Sequence, residues 1–174
     1  MHVNKANKVL GMIKRTITYK DHKMMLNLYK TLVRPHVEYC VSAWSPHYRK
    51  DKELLEKVQR RFTNMIKGMK GMSYEERLQW LKLWTLEERR NRQDLIEVFK
   101  ICKGLSGIRP EELFHFDDNG KGTRGQSLKL VKIRCTRDSR RYFFSNRVIK
   151  RWNQWTRGRL MQPASTHLKV NWID

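Results

Sequence analysis

The stretch "DKELLEKVQRRFTNMIKGM", residues 51–69, decides the fold class, because its apolar residues recur every three or four positions. Such a period places them on one face of an α-helix. The inward-facing positions are Leu54 or Leu55, Val58, Phe62, Met65 and Ile66. A glycine, Gly68 or Gly71, stands near the predicted end. The stretch therefore predicts an amphipathic helix with one buried side.

Two further helices are predicted before this one. The first, "NKANKVLGMIKRTI" at residues 4–17, has an apolar stripe made of Val9, Leu10, Ile13 and Ile17. Asp21 can cap the second, whose apolar positions are Met24, Met25, Leu28 and Leu32. Pro35 should end or kink this second helix, because its ring clashes with the preceding turn and it lacks a backbone N–H.

Two capping boxes predict helix starts on the other side of the opening stretch. Ser73 with Glu76, and Thr85 with Glu88, have the spacing at which hydroxyl and carboxylate satisfy each other's free backbone N–H groups. The second box opens "LEERRNRQDLIEVFKICKGL", residues 86–105, which is predicted to be a long helix.

From Gly104, which should close that helix, the pattern changes. One short helix is expected after Pro110, and "DDNGKGTRGQ", residues 117–126, is typical of a loop. "SLKLVKIRC" at residues 127–135 then alternates lysines with Leu128, Leu130 and Ile133. The predicted fold class is mainly all-α, with a short extended segment near 127–134.

The segment "SRRYFFSNRVIKRWNQW", residues 139–155, is predicted to be one amphipathic helix. At about 100° per residue, its inward side would consist of Tyr142, Phe144, Val148, Ile149, Trp152 and Trp155. The opposite side would carry the basic residues Arg140, Arg147, Lys150 and Arg151. Phe143 falls among these cations, where its ring could stack on a base or cover another part of this protein.

Positive charge is concentrated at the two ends of the chain. Lys and Arg number 38 against 17 Asp and Glu, which gives a net charge of +21. Residues 1–37 hold eight basic residues and one acidic residue, and residues 121–159 hold thirteen and one. Residues 38–120, with sixteen and fourteen, are nearly balanced. This distribution favours a polyanionic partner, with nucleic acid ahead of an anionic membrane surface.

The predicted contacts are with phosphates, for charge neutralisation and orientation without reading of bases. The residues expected to make them are Lys5, Lys8, Lys14, Arg15, Arg140, Arg147, Lys150 and Arg151, with Phe143 as a candidate stacking ring. The cations of the two ends are expected to converge on one flank. Two alternatives stay open: an inert helical remnant, or a non-specific binder of polyanions or membrane surfaces.

No catalytic residue, metal or cofactor is expected. Asp117 and Asp118 precede a glycine-rich turn and lack a third acid, which indicates a solvated loop. His36, Cys40 and His47 are too few to complete a zinc site. The glycine-rich stretches do not match a nucleotide-binding loop.

The expected location is inside the cell, in the nucleus or cytoplasm, and not secreted. Three widely spaced cysteines, Cys40, Cys102 and Cys135, argue against a disulfide framework and for a reducing compartment. The amphipathic first residues lack the unbroken apolar run of a secretory signal. The chain contains no run of about eighteen apolar residues, so no membrane span is predicted.

Five stretches of the sequence, taken in chain order, indicate a similarity to a known protein family. They are "KANKVLGMIKRTI", "LYKTLVRPHVEYCVSAWSPHY", "DKELLEKVQRRFTNMIKGM", "YEERLQWLKLWTLEERRNRQDLIEVFKI" and "TRGQSLKL…RRYFFSNRVIKRWNQW". From about residue 4 to residue 155 the chain resembles the C-terminal region of non-LTR (LINE-type) retrotransposon reverse transcriptases, especially the chicken-repeat/jockey group.

The resemblance implies the thumb and the segment after it, whose helices clasp the template–primer duplex. It implies a thumb-like helical domain at 1–104, a linker at 105–138, and a C-terminal helix and tail at 139–174 that pack back on the bundle. The family's catalytic carboxylates belong to fingers and palm, so a truncated reading frame without catalysis is expected. The chain departs from the family where Trp155 and Thr156 replace a Leu-Pro pair.

Overall fold

The computed structural model describes residues 2–117 and 128–160, with side chains up to residue 156. Its described part is mostly helical, so the predicted all-α fold class is confirmed. Two compact units divide the chain, Met1–Gln93 and Asp94–Asp174. The division falls within a helix, whereas the sequence suggests a boundary at 104, where that helix has ended. Residues 118–126 of the predicted loop and the tail from 161 lie outside the described residues.

The first unit is built from helices that surround one apolar core. They are α1 (His2–Thr16), α2 (His22–Leu28), α3 (Arg34–Glu38), α4 (Arg49–Met65), α5 (Tyr74–Leu81) and the first part of α6 (Leu86–Cys102). Asp21 caps α2 as predicted, because its carboxylate accepts hydrogen bonds from the backbone N–H groups of Lys23 at 3.1 Å and Met24 at 3.5 Å.

A π-helical turn, Tyr29–Val33, joins α2 directly to α3. The N–H of Arg34 donates to the carbonyl of Tyr29, five residues back. Pro35 follows within the first turn of α3, where a missing N–H leaves no internal hydrogen bond unmade. Helical backbone therefore continues past Pro35 to Glu38. The sequence predicts that Pro35 ends or kinks the helix; the helix does not end there, and the backbone is distorted instead, in the form of this wider turn.

The core of the first unit gathers side chains from each of its helices. Its buried residues are Ala6, Leu10, Ile13, Met25, Tyr29, Val33, Val37, Leu55, Val58, Phe62, Ile66, Met69, Leu81 and Leu86. The rings of Tyr29 and Phe62 stack with centroids 4.3 Å apart. Burial selects Leu55 over Leu54. Met24 and Leu32, predicted to face inward, are 37% and 41% exposed.

The core also holds polar side chains that the apolar pattern does not indicate. Gln59 is completely buried. Its amide oxygen accepts from the hydroxyl of Tyr29 at 2.6 Å, and its amide nitrogen donates to the hydroxyl of Tyr74 at 3.1 Å and to the carbonyl of Trp84 at 2.9 Å. The Tyr74 hydroxyl in turn donates to Glu56. Since each group has a partner, this network is compatible with burial.

Both predicted capping boxes are confirmed. Glu76 accepts from the N–H of Ser73 at 2.7 Å, and its own N–H donates to the Ser73 hydroxyl at 3.2 Å. The equivalent distances for Thr85 and Glu88 are 3.0 and 3.2 Å. Gly104, with φ of +68°, closes α6 as predicted, because only glycine adopts this backbone conformation without strain.

The second unit contains the rest of α6 and shorter helices. They are α7 (Pro110–Leu113), α8 (Asp138–Arg141), α9 (Phe144–Arg147) and α10 (Ile149–Leu160). Within the described ranges, the predicted extended segment pairs at one antiparallel bridge, Leu130 with Phe116. The core of this unit consists of Val98, Ile101, Phe114, Leu130, Phe144, Val148, Ile149 and Trp152.

The prediction of one continuous helix over 139–155 is wrong. The chain leaves the helical conformation at Tyr142 and is extended at Phe143, where φ is −63° and ψ is 152°. The buried Asn146 supports this break, because its side-chain N–H donates to the carbonyl of Arg140 at 2.9 Å. Burial of the rings is nevertheless as predicted. Trp152 is completely buried and donates from Nε1 to the carbonyl of Leu128 at 2.8 Å.

Candidate nucleic-acid interface

The exposed face of α1 carries three of the four predicted basic residues. Ala6, Leu10 and Ile13 bury one side of the helix. At about 100° per residue, Lys5, Lys8 and Arg15 lie within about 80° of one another on the opposite side. All three are exposed, and among the described residues none of them forms an ion pair. Burial of one face thus holds these charges together on the other.

Lys14 does not belong to that stripe. It is exposed, but it lies about 100° around the helix from Arg15, nearer to the buried side. Met12, which is half exposed, lies within the stripe between Lys8 and Arg15. The side chain of Arg15 folds back along the helix, since its Nη1 atom would come within 3.8 Å of a Cβ placed on Gly11.

Helix α4 carries two further exposed cations beside α1 that the charge counts do not indicate. Helices α1 and α4 pack against each other. The guanidinium of Arg61 donates to the side-chain oxygen of Asn7 at 3.0 Å, on the side of α1 that carries Lys14. Lys57, one turn before Arg61, is exposed on the same side of α4. The net charge of residues 38–120 does not indicate these two cations, because it sums the basic and acidic residues on all faces of the helices.

Arg147 is placed differently from its prediction. Its side chain is only 13% exposed and forms a bidentate ion pair with Asp94, whose side chain is 3% exposed. Nε lies 3.0 Å from one carboxylate oxygen and Nη2 lies 2.9 Å from the other. The guanidinium also lies over the ring of Phe144, 5.6 Å from its centroid. The prediction that Arg147 lies on an exposed basic face is therefore wrong.

The other predicted residues of this segment lie at the surface. Arg140 and Lys150 are exposed and Arg151 is half-buried, and none of them takes part in an ion pair within the part of the chain that the structure describes. Phe143 is 45% exposed, as expected for a ring outside the core. It has extended backbone at the break between α8 and α9, directly before the buried Phe144.

The residues considered for catalysis or metal binding have other surroundings. Asp117 forms an ion pair with Lys129, and its N–H donates to the Lys129 carbonyl at 3.0 Å, whereas Asp118 lies outside the described residues. Cys40 follows the end of α3 with a φ of +53°, so it does not share a regular helical turn with His36. Within residues 2–117 and 128–160, no group of three or more His, Cys, Asp or Glu side chains could hold a metal ion.

Glu56 and Tyr74 have shifted pKa values, but they lie in the core network. Burial raises the pKa of the Glu56 carboxyl, although hydrogen bonds from Tyr74 and from the Leu86 N–H act in the opposite direction. Burial also raises the pKa of the Tyr74 hydroxyl, and the neighbouring Glu56 adds to that shift. These groups stabilise a satisfied network in the first unit and are separate from the exposed cations.

No helix in the described part of the chain is both long and apolar enough to cross a membrane. Cys40, Cys102 and Cys135 are free thiols. Comparisons with protein-family models, with curated proteins and with solved structures give no significant match.

Proposed function

We propose that this chain binds the phosphate backbone of nucleic acid through exposed basic residues. In the first unit these are Lys5, Lys8 and Arg15 on α1, with Lys57 and Arg61 on α4. In the second unit they are Arg140, Lys150 and Arg151, with Phe143 as a stacking ring. Arg147 is left out of the proposed contacts, because Asp94 already neutralises its charge.

The observation that carries the proposal is the stripe on α1. Like charges on one helix face repel each other, since their pairwise interactions at neighbouring turns are destabilising. A polyanion placed along the stripe would replace that repulsion with attraction and would release counterions. Arg61, bonded to Asn7 on the Lys14 side of α1, adds a cation from a second helix at the edge of this surface. A two-helix basic surface suits a duplex backbone better than a single point contact.

The resemblance to reverse transcriptases supplies the partner that we propose, a template–primer duplex of RNA and DNA. In that family the catalytic carboxylates belong to fingers and palm, so we propose that this chain binds without catalysing a reaction. A primer-extension assay with Mg²⁺ tests this part directly. DNA synthesis by the isolated chain would contradict it.

Binding to a fluorescent RNA–DNA hybrid, measured by anisotropy at 50–200 mM salt, tests the main proposal. If about six phosphates are neutralised, the logarithm of affinity should fall against the logarithm of salt with a slope of about −4 to −5. Anionic and neutral lipid vesicles are the matched competitors. Preference for anionic vesicles would indicate a membrane-surface binder, and no binding to either at 50 mM salt would indicate an inert remnant.

A further inference from the structure

The second unit contains a basic cleft that the proposed backbone contacts do not use. The cleft has a volume of about 320 Å³. Its walls are formed by Lys132, Ile133, Arg134, Cys135, Arg141 and Asn146. Three of these six residues are cations, and none of the six is acidic. The walls come from two different segments, the extended chain after Leu130 and the helical region from α8 to α9.

The cations of the cleft are available to a ligand. Lys132 and Arg134 are exposed and, within the described ranges, form no ion pair. Arg141 has one partner, since its Nη1 lies 3.2 Å from a carboxylate oxygen of Asp138. Those two side chains are 52% and 62% exposed, so water screens their attraction and the pair contributes little. A doubly charged ligand could take the place of Asp138 at the guanidinium.

The floor of the cleft is held in place by a buried side chain. Asn146 donates from Nδ2 to the Sγ atom of Cys135 at 3.3 Å and to the carbonyl of Arg140 at 2.9 Å. These two hydrogen bonds join the extended wall to the helical wall. The cleft is therefore present before a ligand arrives, and binding needs little rearrangement of the backbone.

We propose that this cleft binds a phosphomonoester, a phosphate group attached at one oxygen only. Such a group carries a charge of about −1.5 to −2 at neutral pH and offers three acceptor oxygens, which suits three cations better than the single charge of a backbone diester. Guanidinium groups can pair with it through two parallel hydrogen bonds. A volume of about 320 Å³ is at the small end of ligand pockets, enough for a phosphate with the group attached to it.

The proposal goes beyond backbone binding, because it concerns other residues and another form of phosphate. The phosphomonoester could come from inorganic phosphate, from a free nucleotide, or from the phosphorylated end of a nucleic-acid strand. Three probes separate these sources: inorganic phosphate, a nucleoside 5′-monophosphate, and one oligonucleotide prepared with a 5′-phosphate or a 5′-hydroxyl.

The experiment measures binding of these probes to the full chain and to the double variant Arg134→Gln/Arg141→Gln. Loss of charge-assisted hydrogen bonds should weaken binding of the phosphorylated probe by about tenfold or more. The control for a single lost charge is Arg109→Gln, compared with Arg141→Gln alone, because Arg109 pairs with Glu112 three residues away, as Arg141 does with Asp138, and lies outside the cleft. Conservative Arg134→Lys should keep part of the affinity, and circular dichroism checks that each variant is folded.

Binding of any phosphomonoester probe that the double variant loses and Arg109→Gln retains supports the proposal. An advantage of the 5′-phosphate strand alone would identify a strand end, and competition by inorganic phosphate would identify a site for the free ion. Equal binding of 5′-phosphate and 5′-hydroxyl strands, with no binding of the two small probes, would overturn it. That result would leave salt-dependent backbone binding untouched, so the two proposals fail separately.

Discussion

Helix α1 and the segment 138–151 carry similar densities of positive charge but place it differently. On α1 an uninterrupted helix separates a buried face from an exposed one, and Lys5, Lys8 and Arg15 all reach solvent. The other segment is broken between α8 and α9, and Arg147 turns inward to Asp94. The difference teaches that a cation in the sequence is not always a cation on the surface, because a buried partner such as Asp94 can draw it inward.

The largest expected effect comes from the inward-turned arginine. Asp94→Ala should lower the free energy of unfolding by about 3–5 kcal/mol, because it leaves the guanidinium of Arg147 buried without its carboxylate. Urea unfolding monitored by tryptophan fluorescence measures the change. If Asp94→Ala were as stable as the natural chain, Arg147 would have to be as accessible as the cations of α1.

Two further variants make this test specific. Asp138→Ala removes the partner of Arg141, which is exposed, so it should change stability by only about 0–1 kcal/mol. Asp94→Leu/Arg147→Met replaces both charges with apolar groups and should recover most of the stability lost by Asp94→Ala. Additive losses in the double variant would show that the ion pair is not the source of the effect.

The next effect concerns the outward stripe of α1. Lys5→Gln/Lys8→Gln/Arg15→Gln removes three proposed phosphate contacts, which should reduce the salt slope by about 2–3 and the affinity for hybrid duplex at 0.1 M salt on the order of 100-fold. Surface substitutions of this kind change stability by less than about 0.5 kcal/mol each. Anisotropy titrations and urea unfolding of the same samples measure both quantities.

An equal loss of charge elsewhere in the first unit is the control for the stripe. Lys23, Lys30 and Lys70 are exposed and lie outside α1 and α4. Changing all three to glutamine should leave most of the slope in place. If this control weakened binding as much as the stripe variant did, only total charge would matter and the stripe would not be an interface.

A smaller effect is expected from the exposed ring at the helix break. Phe143→Ala should weaken binding of single-stranded nucleic acid by about 1–3 kcal/mol if the ring stacks on a base, and it should leave duplex binding almost unchanged. Competition between single-stranded and duplex probes measures the ratio. An equal loss for both probes would indicate that Phe143 supports the fold of the segment instead of contacting a base.

The smallest effect is a dependence of stability on pH. Glu56 in the first unit, like Asp94 in the second, is a carboxylate with hydrogen-bond donors around it. Its partners are the Tyr74 hydroxyl and the Leu86 N–H, whereas Asp94 pairs with a cation. Because burial raises the pKa of Glu56, the folded chain keeps this proton where the unfolded chain has lost it. The resulting stability is present below the ordinary carboxyl pKa of about 4.3 and is lost as pH rises through the raised pKa.

Urea unfolding at a series of pH values tests this assignment. The natural chain should lose stability relative to Glu56→Gln as pH rises from about 4 to 7, since glutamine stays neutral over that range. Parallel stability curves for the two chains would contradict the role of Glu56. The sign distinguishes it from Asp21 and Glu76, whose pKa values are lowered and whose contributions disappear as pH falls.

The features of the fold that could be predicted are the local ones. Asp21, Ser73 and Thr85 begin helices through contacts within three residues, so their spacing in the sequence is enough. The period of Val58 and Phe62 likewise indicates a buried face. Burial of Gln59 could not be predicted, because its partners Tyr29 and Trp84 lie 30 and 25 residues away.

The candidate site was predictable to the same extent. Lys5, Lys8, Lys14 and Arg15 were selected from the excess of positive charge in residues 1–37, and all four are exposed because the apolar stripe of α1 faces the core. Arg147 was misplaced because its partner Asp94 is 53 residues away, and no local pattern indicates that pairing. Arg61 was missed for the same reason, since Asn7 lies 54 residues before it.

The π-helical turn Tyr29–Val33 has a consequence for the alignment of the core. Tyr29, Val33 and Val37 are all completely buried, at four-residue spacing. In a regular α-helix, four residues advance by about 40° more than one revolution, so such a row gradually drifts around the axis. A wider turn advances less per residue and offsets that drift. The turn holds one residue more than an α-helical turn, because the Arg34 N–H reaches the carbonyl five residues back. Deleting one residue from it would restore regular α-helical pairing and leave Val37 close to its present side of the helix.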